Sequence, residues 1–399
     1  MGRFLVMDVV FYGSSLNYDQ GSGNYQELKK ITRWDGRQYT LVSRYALRYS
    51  LLETGKKLGL WNIAEGEKLH RAGSGDNTVI QPATDLLLTG EILLYPEFDI
   101  FGYLITSTTP QNFRSAPAKL SHAVSMTPFN YDALFNANLG MANRMRKVYG
   151  EMKPNPFTAE EHETFYLYSL VVDLNEVGAV DVFVTLGSDV TLGRDQENKE
   201  IKMKIEDVVN EDGRVKFILK GKKEKKELVQ SEKVKLESFE KINNKLVHIK
   251  YSLSPEGKEK RVKNLIKGLL SLKRSIKGRE EDLRPRLLVL GVYKDTAYQT
   301  FKDRIELIDE YSEEEYDEIE EREENGKKVV MIKHVVSRNR KPIFRISGLP
   351  EGTTVENLNE SEVLKLVENL FTSKEETSKE KKLSEVKVFK DPSVEVRLE

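Results

Sequence analysis

Apolar residues run or alternate at strand and helix periods in a few stretches, and these set the expected core. Arg3 to Tyr12 (RFLVMDVVFY) is β-branched and aromatic over strand length, with Asp8 as its one interior charge, and reads as a central strand. Tyr39 to Val42 is a second β-like run that breaks at Ser43 into an amphipathic helix. Leu47, Leu51, Thr54 and Leu58 recur at the spacing that turns one helix face inward, and Ser43 is a good N-cap. Phe98 to Ser107 and Ala118 to Met126 read as strands, joined by a connection, Thr108 to Pro117, that contains Arg114. Thr164 to Val172 alternates as a strand should, and Asp181 to Phe183 reads as the start of a turn or short helix. A helix is expected over Glu256 to Lys277, capped near Ser254 and stopped by Gly278, before the continuous apolar run Arg286 to Tyr293 of a buried strand. Short strands at Val329 to Val336 and Pro342 to Ser347, a helix over 355–371 and a polar, peripheral end complete the pattern.

Strand, helix, paired strands, helix, strand is the ferredoxin-like, RRM-like plan of an α+β protein, on which long insertions can be hung at the loops. The expected divisions are 1–60 for the first half of that unit, 61–138 for an insertion and further strands, and 139–163 for a projecting basic loop rich in Met. They continue with a strand in 164–194, a charge-dense insertion in 195–250, the second helix and last strand in 251–294, and an acidic segment with an extension in 295–399.

Composition narrows the function classes. With 399 residues, 39% of them hydrophobic, the chain is long enough for one large or two modest domains with a real core. Cysteine is absent, so disulfides, thiolate metal sites and a cysteine nucleophile are impossible, and the five His are too scattered for a zinc site. No signal-type segment or membrane-length apolar run is found, so a soluble protein of a reducing cytoplasm is expected, with no membrane partner and no cofactor. The 32% charged fraction, rich in Lys and Glu, resembles thermophile usage. The net charge of −1 conceals an uneven map: residues 197–286 carry 26 Lys and Arg against 16 Asp and Glu, whereas 295–325 carry 3 against 14.

The candidate chemistry is concentrated at the Ser43 helix. Arg44 and Arg48 occupy its first turns, where the macrodipole favours acids, and no acid follows until Glu53. Two readings fit: a phosphate site made of helix-start amides and two arginines, or a solvated face with the arginine stems lying over Tyr45 and Tyr49. The small-residue loop Gly13 to Gly23 and the segment Asn24 to Trp34 lead into this helix, and place Lys29, Lys30 and Arg33 beside Tyr25 and Trp34. Basic residues interleaved with aromatics suit a nucleic-acid strand, while the plain alternative is a flexible surface hairpin. His122, between apolar neighbours, reads as a packed strand residue, and Gly73-Ser74-Gly75 is too weak a motif for a nucleotide loop.

As a set, several segments resemble the backbone subunit of type I CRISPR surveillance (Cascade) complexes, and more narrowly the DevR autoregulator family of type I-B systems within the RAMP superfamily. They are Gly13 to Asn17 with Asn24-Tyr25 and Lys29-Lys30, Val42 to Arg48, Phe98 to Tyr103, Ser125 to Phe129, and Phe165 to Tyr168 leading to Val172-Asp173-Leu174. The resemblance covers residues 3 to about 178, with weaker support from 255–293.

It implies a right-hand-shaped protein with an RRM-like palm, fingers and thumb that polymerises head to tail along guide RNA. Base pairing would then read the target DNA strand while the protein supplies charge and shape, in the company of other complex subunits. On this resemblance Ser43, Arg44 and Arg48 form the phosphate-gripping helix start and Lys29, Lys30 and Arg33 the basic loop before it. Asn17, Asn24 and Arg114 complete the expected RNA-facing set. Met141, Asn143, Arg144, Met145, Arg146 and Lys147 fall at the thumb, with Met141 and Met145 as wedges between bases or, alternatively, as a pair closing a small local core. No catalytic or metal-binding residues are expected. Related type III subunits cut RNA with an Asp before this helix, where the present chain has Gln26 and Glu27, with Asp19 further upstream. A metal-dependent ribonuclease on the same scaffold and a transcriptional autoregulator, for which no helix-turn-helix is seen, are the competing readings.

Overall fold

The structure, a computed structural model, describes residues 3–73, 78–151, 154–194, 199–222, 224–294, 297–324, 327–372 and 384–399. The chain is α+β and rich in strands, with few helices. Its main sheet is organised around β1 (Phe4–Ser14). Odd and even residues of a strand face opposite sides, yet every residue of β1 from Leu5 to Phe11 is buried, so both faces of the sheet are covered.

On one side of β1 lies β4 (Glu163–Asp173), antiparallel with Phe4 opposite Asp173, and beyond it β3 (Ala123–Ser125) and then β2 (Gln38–Val42). On the other side β5 (Leu287–Tyr293) pairs antiparallel, with Val10 opposite Leu287. Next to β5 runs β6 (Ser384–Lys390), so the polar end of the chain is a core strand, with Val388 and Phe389 fully buried.

The first face is packed by α1 (Arg44–Lys57), α3 (Pro255–Leu270) and α4 (Glu360–Thr372): Leu5, Met7, Val9 and Phe11 meet Leu47, Leu51, Leu265, Leu269 and Val367. The second face, Val6 and Val10 with Phe165 and Val289, is covered by Phe301 and by Ile305, Phe344 and Ile346 of the C-terminal strands. Asp8 also points to this face, fully buried, accepting hydrogen bonds from the Ser169 hydroxyl and from the Phe301 amide at 2.6 Å. Burial pushes its pKa up, and those two donors together with Lys302 pull against it.

A second lobe has its own core. The short helices within 84–99 pack against two sheets: Ala179–Thr185 with Lys235–Lys241 and Leu246–Ser252, and Asp189–Arg194 with Glu200–Glu211, Arg214–Lys220 and Lys225–Val229. Parts of the insertions expected at 61–138 and 195–250 therefore share one core with the strands of 179–194, with Leu87, Leu93, Val182, Phe217 and Ile249 all at 0% exposure.

Several local expectations fail for identifiable reasons. Phe98 to Ser107 begins as the helical turn Pro96–Asp99, because Pro at its first position and buried Asp99 favour a turn. The segment from Asp181 to Phe183 is strand, not turn, since His248 on the paired strand takes up the Asp181 carboxylate at 2.7 Å. The helix α3 stops at Leu270, and Lys273–Ile276 turns back as a hairpin with Arg279–Asp282 across Gly278, whose φ of +79° suits a glycine turn. The projecting loop after residue 138 is a helix, α2 (Leu139–Tyr149), N-capped by Asn138 and carried on the ribbon Ala133–Ala137/Pro156–Glu160, to which Tyr25–Gln26 adds a third, parallel strand. The acidic segment is largely a long hairpin, Ser312–Glu324 against Lys327–Asn339. Gly73-Ser74-Gly75 lies partly outside the described residues.

A candidate nucleic-acid interface

Ser43 does cap α1. Its backbone is extended, and its hydroxyl accepts from the Ala46 amide at 3.2 Å, a cap worth about 1 kcal/mol. The Asn17 side chain buttresses this start by accepting from the Ser43 amide at 2.8 Å. No acid stands in the first turn.

A further partner arrives from the sheet. The strand expected over Ala118 to Met126 is interrupted at Ser121 and His122, between Ala118–Leu120 and β3, and the break turns His122 outward instead of packing it. His122 Nδ1 accepts from the Arg44 amide at 3.0 Å. Three of the helix-start donors, the amides of Ser43, Arg44 and Ala46, are thus already satisfied, which leaves side-chain cations as the main anion holders.

Those cations converge. Arg44 is exposed, with its guanidinium over the Tyr45 ring and donating to the Tyr45 hydroxyl at 3.0 Å. Lys302 reaches in from the C-terminal side, its ammonium 3.2 Å from the Ser121 hydroxyl and 3.4 Å from the His122 carbonyl. The His122 pKa is held below its ordinary value by burial and then by Arg44 and Lys302. Lys302 is itself pushed down by burial, with Arg33 adding to the push and Asp8 opposing it. Arg33 is exposed and lies over the Tyr39 ring, beside Trp34, which is 92% exposed. Lys302 was not legible as a site residue, because it is 258 positions from Arg44 in sequence. The Asp8 carboxylate fixes it there by anchoring the adjacent Phe301 amide.

The other expected residues divide. Arg48 is partly buried over Phe101, its pKa lowered by burial with Glu97 as the opposing charge. Lys29 pairs with Asp19 at 3.1 Å in an exposed bridge. Lys30 is committed inward, 2.6 Å from a Glu160 carboxylate that is almost wholly buried and also accepts from the Leu28 amide. Asn24 is exposed and its carbonyl accepts from the Thr158 amide, so the loop expected to be flexible is stitched to the ribbon that carries α2.

Arg114 corrects the expectation outright. Its side chain is 7% exposed and bridges the fully buried Asp99 at 3.1 Å, while also donating to the Ala179 and Glu176 carbonyls. Asp99 further accepts from the Gly178 amide at 2.8 Å and has Arg261 at 3.7 Å. A buried carboxylate requires such partners, and Arg114 serves that need at the lobe junction rather than facing solvent.

On α2, Met141 is 53% exposed while Met145 is partly buried, so they do not close a core as a pair, and Asn143, Arg144, Arg146 and Lys147 are exposed. Tyr131, Leu134, Phe135, Val148 and Tyr149 extend an apolar surface over this projection. Among the described residues there is no group of three or more His, Cys, Asp or Glu that could hold a metal ion, and no helix is long and apolar enough to cross a membrane.

The chain is similar to a chain of a CRISPR RNA-guided surveillance complex in a pre-nicking state, at 11% identity and a TM-score of 0.39, over 75% of this chain and 79% of that one. A second such surveillance complex matches at 11% identity and TM-score 0.34, over 75% and 73%. A type IV-B CRISPR complex matches at 13% and 0.26, over 43% and 72%. No curated protein matches. The model of the CRISPR-associated negative auto-regulator DevR/Csa2 family matches residues 5–316, and the chain belongs to that family.

Proposed function

We propose that this protein is a non-enzymatic, guide-RNA-binding backbone subunit of a type I CRISPR surveillance complex, polymerising along the RNA and presenting its bases to target DNA. The observation that carries the reading is the convergence of Arg44 and Lys302 on His122, with Arg33 acting on Lys302, at a helix start without acids, in a chain of a CRISPR-associated family. The antiparallel strand order β5-β1-β4-β3, with α1 and α3 on one face, supports naming this unit a ferredoxin-like palm. Because the second sheet face is covered, nucleic acid would lie along the sheet edge and helix start, not across the strands as in an RRM. The exposed cations and Met141 of α2 support its assignment as the thumb.

Such a site binds single-stranded RNA with little sequence preference and a steep salt dependence. Fluorescence anisotropy with labelled single-stranded RNA is expected to show cooperative binding that weakens sharply with salt. Replacing Arg44 and Arg48 together by Ala should remove most of the affinity with the fold intact, Ala being the better helix former. A folded double variant that binds as tightly as wild type overturns the assignment. Preference for duplex promoter DNA over RNA would favour the auto-regulator in the family's description, and magnesium-dependent cuts at regular spacing would favour a ribonuclease.

A further inference from the structure

The hairpin Ser312–Glu324/Lys327–Asn339 has strands of 13 residues each and forms a sheet of its own. A free two-stranded ribbon is marginal in water, so its exposed surface calls for a cover. On one face Ile319 lies opposite Ile332, and Val330 and Val336 continue the stripe along the second strand, all more than half exposed. The same face of the first strand carries Glu315, Asp317 and Glu321, which make exposed contacts with His334 and Lys328 of the second strand and still outnumber them. It is an aliphatic stripe with an acidic flank.

The second lobe offers the complement. On the four-stranded sheet, Lys204, Lys220 and Lys225 stand directly opposite one another across three adjacent strands. Like charges in that register are unfavourable, and Glu206, 3.4 Å from Lys220 and 2.9 Å from Lys225, relieves the row in part. The next rows on this outer face set Ile218 opposite Glu227 and Lys216 opposite Val229, while Phe217, Leu219 and Leu228 point into the core. These rows hold aliphatics and no aromatic on which a base could stack, which favours a protein surface over nucleic acid.

We propose that the acidic face of this ribbon in one copy docks on the lysine row of the next copy, aliphatic stripe against aliphatic positions and carboxylates against ammonium groups. Because the two surfaces differ, the contact is heterologous and extends into an open row of copies. The proposal rests on the backbone-subunit reading for its purpose, yet its test needs no nucleic acid.

The test is sedimentation velocity of the full chain at low salt without RNA, using the triple reversals K204E/K220E/K225E and E315K/D317K/E321K. Wild type is expected to self-associate in a salt-sensitive manner, and each triple alone to associate at least about tenfold more weakly, since like charges then face each other. An equimolar mixture of the two triples should restore association, because each supplies the complement of the other. Should either triple fail to fold, Ile332→Asp and the neutral K204Q/K220Q/K225Q give the same comparison. Wild type that stays monomeric, or a mixture that stays dissociated, overturns the proposal. So does a lysine triple that associates normally but loses RNA binding, which would make the row a nucleic-acid track. Binding of one copy to a short oligonucleotide, read by anisotropy, separates failure here from failure of the RNA-binding reading.

Discussion

Two groups of cations have opposite surroundings. At the lobe junction Arg114 and Arg261 flank Asp99 in the dry interior, and their charge is spent inside the molecule. At the start of α1 the Arg44 guanidinium is held by the Tyr45 hydroxyl and Lys302 by hydroxyl and carbonyl oxygens, with the buried Asp8 carboxylate acting on Lys302 only at a distance. An arginine in sequence is ambiguous between these fates. The deciding variable is whether the fold delivers a carboxylate, and that carboxylate can come from anywhere in the chain.

The largest effect should come from breaking the closed group. Asp99→Asn leaves two buried guanidinium groups without a counter-charge, and a loss of about 3–5 kcal/mol in urea unfolding is expected. RNA affinity of the remaining folded protein should be unchanged.

The comparison sharpens between two lysines. Lys302→Ala should weaken RNA binding and flatten the log–log salt dependence by roughly 0.7, the slope for one phosphate contact on a single strand, with a smaller loss of stability than Lys30→Ala because Asp8 keeps its Ser169 and Phe301 donors. Lys30→Ala should do the reverse: it strands the buried Glu160 carboxylate at a cost of about 1–3 kcal/mol and leaves the salt slope alone. If Lys30→Ala changes the slope and Lys302→Ala does not, the division into open and closed cations is wrong.

Acidification gives the smallest effect. His122 and His162 both have pKa values held below the ordinary 6.5, His122 by burial and two cations and His162 by burial. The unfolded chain therefore binds more protons than the folded one in that range. Their contribution is complete above pH 6.5 and is lost as pH falls through the lowered folded values. Thermal melts from pH 7.5 to 5 should show a decline that His162→Gln makes shallower. Bound RNA should oppose the part due to His122, because a phosphate beside it favours the charged ring.

What was legible in the sequence was local. Ser43 caps the helix that its own neighbours specify, and β1, β4 and β5 announce themselves by apolar runs that need no partner to be read. Asp99 with Arg114 was invisible, because Asp99 sat inside an apolar run resembling a strand and its second cation, Arg261, lies on α3. The same holds for Lys302, whose place depends on Asp8 at the other end of the chain. The strand β6 was hidden by composition: Val386, Val388 and Phe389 follow a long stretch of Lys and Glu that outweighs them in any window. The α2 helix was obscured by Gly140 and by a first turn with no acid, and it is its Asn138 cap that starts it.

The position of β6 bears on how the protein is made. β1 occupies the middle of the sheet, and β6, which pairs with β5, follows β5 only after the long intervening stretch from Tyr293 to Ser384. Domains usually fold as units while the ribosome delivers them from the N-terminal end, but here the edge beside β5 stays unpaired until residue 384 has emerged. A nascent chain stalled before that point exposes the backbone of β5 to any other strand in reach. Translation that stops before β6 should therefore yield chaperone-bound or aggregated fragments rather than subunits able to enter an assembly, so that the pairing of β6 with β5 acts as a quality control.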